Sequence, residues 1–269
     1  KIEPSPPADS LNPIPGGLLR RWLFLFWLSI QEMWKHLLKP PEPVMIARGD
    51  MLRTRTGLVT QQLPRNIRQQ IKSAGTQQES SFSGVLMASS AQAVGSTLYP
   101  NSRRALRTSF AVNLRKSFDD NTHAKTFACY VGGIITLIPK IDKISWAASS
   151  HITKMLDSAL QQKLPWYSLP FLKLNSFLMQ TAPQAGAAAA HISNLGSSKL
   201  ESSSDTLHVE GYRTLLCASG VGRSAIVNCN TYQDRSTITV TYSKLHVSDD
   251  EAATLLSRIV ENLMTMASD

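Results

Sequence analysis

The side chains best suited to chemistry are scattered along this sequence, with no complete catalytic set. Six histidines, His123 and His151 among them, fall without metal-ligand spacing, so no metal site is expected. Cys129, Cys217 and Cys229 form no Cys-x-x-Cys pair, which disfavours a disulfide framework as well. Cys217 and Cys229 sit in apolar, strand-like runs and are expected to be buried thiols, a usage that suits a reducing compartment. Gly220-Val221-Gly222-Arg223-Ser224 has the glycines of a phosphate loop. It lacks the Gly-Lys-Ser/Thr ending and lies between two strand-like runs, so it is expected to be a turn. No Gly-x-Ser-x-Gly elbow is present, which disfavours an α/β-hydrolase.

Charge narrows the partners. The net charge is +9, and residues 1–116 hold 16 Lys/Arg against 6 Asp/Glu, while residues 117–269 hold 12 against 13. A basic front half suits an anionic membrane surface, a phosphorylated cofactor or nucleic acid. Zinc spacing, an RNP-type aromatic motif and a dense basic run are all missing, so nucleic acid is not expected as a partner. With 42% apolar and 17% charged residues in 269, the chain can bury one large core or two small ones. Lys1 in place of Met is expected to mark a fragment or a processed chain.

The elements that would position any site follow from punctuation and periodicity. Residues 1–17 carry five prolines and read as an extended linker. Leu18–Leu38, with Arg20-Arg21 ahead of Trp22–Ile30, predicts a connector helix within 18–45, closed by Pro40-Pro41-Glu42-Pro43. Gln31, Glu32, Lys35 and His36 make its apolar run too short for a membrane span. Two readings stay open: a helix lying at a membrane interface, or a crossover helix buried against another part of the protein.

Beyond it, helices are predicted at Leu63–Ala74, stopped by Gly75, and at Ser80–Leu98, Ile144–Gln162, stopped by Pro165, and Ser168–Gln180. A flexible Ala185-Gly186-Ala187 stretch follows. Alternation predicts strands at Arg107–Leu114, Ala188–Ser193, Gly211–Ala218, Ser224–Thr231 and Thr237–Ser243, the last two joined through Gln233-Asp234-Arg235. Ser248 is expected to cap a final helix to Met266, with Asp249, Asp250 and Glu251 in its positive first turn. The order predicts an α+β fold, helices laid on a mixed β-sheet.

Four segments, read in order, resemble the condensation-type, CoA-dependent acyltransferases, the alcohol acetyltransferases and wax ester synthases included. Gln61–Ala74 followed by Ser80–Val94 is similar to that family's small-residue helix. Phe110-Ala111-Val112-Asn113-Leu114-Arg115 is similar to its strand ending in V-N-L-R, and Phe127–Gly133 to the segment after it. His191-Ile192-Ser193-Asn194-Leu195-Gly196 resembles its S-N-L-G loop, and Ser236–Met266 its closing hairpin and helix. The likeness spans residues 46–269 and is to the C-terminal half of a fold built from two similar halves, like that of chloramphenicol acetyltransferase.

The resemblance implies an acyl-CoA donor as co-substrate, an alcohol or lipid acceptor, and a substrate tunnel between the halves. It implies no bound cofactor and a cytoplasmic protein, peripheral on a membrane where 18–38 engages one. The family's motif, His-His-x-x-x-Asp-Gly, is absent, so no catalytic residue is expected in this chain and the missing N-terminal half is its first implied partner. The nearest match, His246-Val247-Ser248-Asp249-Asp250-Glu251, lacks the first His and the Gly and reads as a helix cap. By the same resemblance Arg115 would pair with the absent motif's aspartate and support the active-site loop. Asn113, Asn194 and Gly196 would line or shape the tunnel, against the plainer reading of turn formers. Two other readings remain: a catalytically inactive scaffold of the same fold, or half of a peptide-synthetase condensation domain.

Overall fold

The computed structural model describes residues 40–45, 55–114, 131–168, 187–198 and 222–269, with single positions in 22–38 and at 216 and 218. The 1–17 linker, Phe127–Tyr130, residues 169–180 and the Gly211–Ala218 strand apart from its two single positions lie outside the described residues.

Six strands form one sheet in the order β1-β6-β5-β4-β2-β3. They are β1 (Thr56–Gln62), β2 (Leu106–Asn113), β3 (Val131–Ile138), β4 (Ala190–Ser198), β5 (Ala225–Tyr232) and β6 (Arg235–Ser243). β2, β4 and β5 run parallel; β1 and β6, β5 and β6, and β2 and β3 pair antiparallel. The sheet is therefore mixed, as the element order predicts.

The helices are α1 (Ile67–Gln77), α2 (Phe82–Leu98), α3 (Trp146–Gln161), α4 (Leu164–Ser168) and α5 (Asp249–Ser268). α2 sits between α3 and α5, and its small side chains permit close approach from both sides. It is buried nearly all round, with Leu86, Met87, Ser89 and Ser90 inaccessible. Ser81 caps it by accepting from the Gly84 N–H at 3.1 Å. The Ser81 N–H donates to Thr153 Oγ1 of α3 at 3.0 Å, and Asn262 Nδ2 of α5 donates to Gln92 Oε1 at 2.9 Å, so polar contacts tie both neighbours to α2. The core joins this layer to the sheet face bearing Phe110, Ile192, Val227, Cys229, Ile238 and Val240. Cys229 is the buried thiol expected of it, pushed up to about 12 by burial.

Several expectations need correction. α1 does not stop at Gly75 but runs to Gln77. There the chain folds back so closely that a Cβ on Gly75 would stand 2.4 Å from Ser80 O. Gly75 O accepts from the Gln78 and Ser80 N–H groups, so the glycine serves the close approach while the turn ends two residues later. Pro165 starts no stop: it occupies the first turn of α4, where its missing N–H costs nothing. β1 and β3 are strands that the sequence does not announce, because TGLVTQQ is largely polar and VGGIITLI is interrupted by glycines. The β5–β6 turn falls on Gln233 and Asp234, both at positive φ.

α5 begins as predicted. Ser248 Oγ accepts from the Glu251 N–H at 3.1 Å while Glu251 Oε2 accepts from the Ser248 N–H at 2.9 Å, a complete capping box.

Candidate functional site

The second face of the sheet, opposite the helix layer, carries polar and apolar residues together, arranged in rows. Strand register aligns Ile135, Ser109, His191, Ile226, Thr241 and Leu58 across all six strands. The next row is Gly133, Ala111, Ser193, Asn228, Thr239 and Thr60. β5 and most of β6 are buried on both faces, whereas Val131, Ile135 and Asn113 are exposed. The face is thus open over β3, β2 and part of β4, and covered over β5 and β6. Ala218, fully buried, donates its N–H to Thr56 Oγ1 at 3.1 Å on the covered side.

Two features mark the line between open and covered. Ser109 Oγ lies 2.7 Å from His191 Nδ1, across two parallel strands in direct register. Burial lowers the His191 pKa, so the ring is neutral at pH 7, with Nδ1 engaged by the serine. One row away, Asn228 is fully buried and neither its Oδ1 nor its Nδ2 has a hydrogen-bond partner. An unpaired buried polar group costs about 1–3 kcal/mol, and an amide leaves both a donor and an acceptor open.

Between Ile135, Ser109 and His191 on one side and Val131 and Asn113 on the other, the floor is Gly133, Ala111 and Ser193. These are small residues, and a Cβ on Gly133 would meet nothing within 4 Å. The result is a shallow trough that runs across the strands and ends at Asn228.

The residues singled out by resemblance are dispersed. Asn113 ends β2 on the open face, opposite Val131. Asn194 points the other way: its Nδ2 donates to Ser83 Oγ of α2 at 2.9 Å and its Oδ1 accepts from the Gly196 N–H at 3.0 Å. Gly196 adopts φ +76°, a left-handed conformation favouring glycine, where β4 shifts register against β5. The structure brings Asn194 and Gly196 together in one bulge of β4 and leaves Asn113 apart from them. Arg115 lies outside the described residues. His191 and Ser109 were not singled out in the sequence, since only the β2–β4 register makes them neighbours.

A groove of about 620 Å³ opens at the other end of the parallel strands, lined by Glu42, Tyr99, Asn101, Arg103, Arg104 and Arg223. Its groups are largely occupied by the fold. Ser102 Oγ donates to Glu42 Oε2 at 2.5 Å, Lys140 Nζ donates to Ser102 O at 2.7 Å, and the Tyr99 hydroxyl donates to Arg223 O. Arg223 itself donates to Leu98 O, His246 O and Glu251 Oε1. The Gly220–Ser224 turn is therefore, at Arg223, a structural junction. Its Gly222 is at positive φ, and residues 220 and 221 lie outside the described set.

Among the described residues of 22–38, all are helical, and Trp22, Leu23, Phe26, Trp27, Trp34 and Leu38 are exposed. Among the described residues no helix is long and apolar enough to cross a membrane.

No family model and no curated protein matches this sequence. Solved structures do match. The TRI3 trichothecene 15-O-acetyltransferase from Fusarium sporotrichioides aligns over 88% of this chain and 51% of its own, at 13% identity and a TM-score of 0.67. The cyclization-docking bidomain of the EpoB peptide synthetase from Sorangium cellulosum aligns over 93% and 49%, at 12% identity and a TM-score of 0.64. The PapA2 acyl transferase aligns over 97% and 54%, at 16% identity and a TM-score of 0.59.

The chain has the fold of condensation-type acyltransferases, as the sequence resemblance implied. It spans about half the length of these similar chains.

Proposed function

We propose that this chain is the C-terminal half of an O-acyltransferase that moves an acyl group from acyl-CoA to an alcohol or lipid acceptor. One observation carries the reading: a fold shared with acyltransferases but spanning half their length presents, on one side of its sheet, a partly open face that mixes hydrogen-bonding and apolar residues. In a two-half enzyme that face is suited to meet substrate between the halves. Its row of neutral hydrogen-bonding groups suits a hydroxyl acceptor, which both donates and accepts.

The reaction needs a base for the acceptor hydroxyl, whose oxygen attacks the thioester carbonyl as the thiolate of CoA departs and takes up the proton. The base is assigned to the histidine motif of the N-terminal half, outside this chain. The present half contributes the sheet face, the Arg115 support for the catalytic loop and the β4 bulge at Asn194–Gly196. The exposed apolar side chains of 22–38 suit either a membrane surface or the other half as cover.

The complete translated sequence tests this reading. A His-His-x-x-x-Asp-Gly motif within the roughly 150–200 residues of a typical domain ahead of residue 1 is expected. A degraded motif would turn the reading to a scaffold, and flanking carrier domains to a peptide synthetase.

A further inference from the structure

We propose that His191, Ser109 and Asn228 form an acceptor-hydroxyl site at the inner end of the trough on the second sheet face, binding the hydroxyl of a primary alkyl alcohol. The inference deepens the acyltransferase reading and rests on it for the identity of the ligand.

The site is built from both ends. Ser109 engages Nδ1 of His191 at 2.7 Å and fixes the ring, while Nε2 has no hydrogen-bond partner among the described residues. The serine thereby acts as a positioning residue for the imidazole. With the Ser109 hydroxyl donating to Nδ1, Nε2 of the neutral ring carries the proton and donates to the acceptor oxygen, which leaves the hydroxyl proton for the base of the other half. Asn228 supplies the complement, a fully buried amide whose Nδ2 and Oδ1 are both unpaired.

His191 and Asn228 lie on a diagonal of neighbouring strands, one strand and two residues apart, since Ser193 aligns with Asn228. Strand spacing and rise put their Cα atoms roughly 8 Å apart. One oxygen accepting from both the amide Nδ2 and the ring Nε2–H, at about 2.8 Å each, fits that separation.

The trough decides the rest of the ligand. Its floor of Gly133, Ala111 and Ser193 leaves room above it, and exposed Val131 and Ile135 flank it with apolar surface. An unbranched alkyl chain can lie there across the strands with its hydroxyl inward. The covered side beyond Asn228 ends the path, so the hydroxyl end is the one that is desolvated.

The test uses the complete protein, with decan-1-ol and acetyl-CoA as probes. His191→Ala and Asn228→Ala are each expected to raise the KM for decan-1-ol about tenfold and leave the KM for acetyl-CoA unchanged. Ser109→Ala should raise the alcohol KM by a smaller factor, because the ring is loosened and not removed. In parallel, the imidazole ¹⁵N resonances of wild-type His191 should shift as decan-1-ol is added, a readout that no variant's folding can compromise. Wild-type transfer with both variants at wild-type alcohol KM, or with no imidazole shift, would overturn the site and leave the acyltransferase reading standing. An imidazole shift without any acyl transfer would keep the site and remove the reading. Neither signal would remove both.

Discussion

Arg223 Nη2 lies 2.6 Å from Glu251 Oε1, which joins the residue ahead of β5 to the first turn of α5. The same guanidinium donates to Leu98 O at the end of α2 and to His246 O, so one side chain satisfies a carbonyl of α2, a carbonyl of the β6–α5 connection and a carboxylate of α5. Arg223→Met keeps the aliphatic stem and removes all three bonds. A loss of about 2–4 kcal/mol in unfolding free energy is expected by denaturant titration, with the Glu251→Gln variant losing less. Equal stability of Arg223→Met and the parent would show that the junction contributes nothing.

Gly84 faces α3 where the helices meet. A Cβ there would stand 2.0 Å from Thr153 Oγ1 and 2.8 Å from Ser149 O. Gly84→Ala is therefore expected to destabilise by about 1–3 kcal/mol despite alanine's better helix propensity. Adding Thr153→Ala should recover only part of this, because the Ser149 carbonyl is backbone and cannot turn aside. Thermal unfolding of the two variants reads the difference.

Acid sensitivity follows from two histidines. Burial lowers the His191 pKa, and burial and then the Arg223 charge lower that of His246. Each is depressed in the fold relative to about 6.5 in the unfolded chain, so the unfolded state takes up protons first as pH falls. Stability from this source is intact above that value and declines as pH falls through 6.5 toward the folded pKa values. The depressed Glu251 carboxyl acts in the same direction, but only below about 4.5. Urea midpoints measured between pH 7.5 and 5 should fall for the parent and fall less for His191→Gln. A flat profile for the parent would rule out the buried neutral ring.

Arg115→Ala tests the residue carried over by resemblance. In the complete active protein it should lower kcat for acyl transfer with little effect on the unfolding midpoint, by loosening the catalytic loop. Unchanged turnover in a normally folded variant would remove that role.

The legible parts of this chain were those written in local chemistry. The α5 cap was readable because Ser248 and Glu251 carry both halves of a capping box within four residues. α2 was readable from its run of small residues, and β2, β5 and β6 from alternation. β1 escaped because its pairing with β6 lies almost 180 residues away and its own residues are polar. Gly75 misled as a stop, since its purpose is to let Ser80 O approach. The Ser109–His191 pair was beyond reach for a related reason. Each residue is ordinary in its own strand, and only the parallel register of β2 with β4 sets them side by side. Asn194 illustrates the converse: its short sequence motif was visible, but the face it points to is set by the strand's pleat, which turns it toward Ser83.

The most direct measurement is thiol release from acetyl-CoA in the presence of decan-1-ol, with ester formation followed in parallel. It should be made on the complete translated protein and on residues 1–269 alone. The complete protein is expected to release thiol in step with ester, and residues 1–269 alone to release it no faster than buffer. Ester formation by residues 1–269 alone, or none by the complete protein with its histidine motif intact, would contradict a half that works only with its partner.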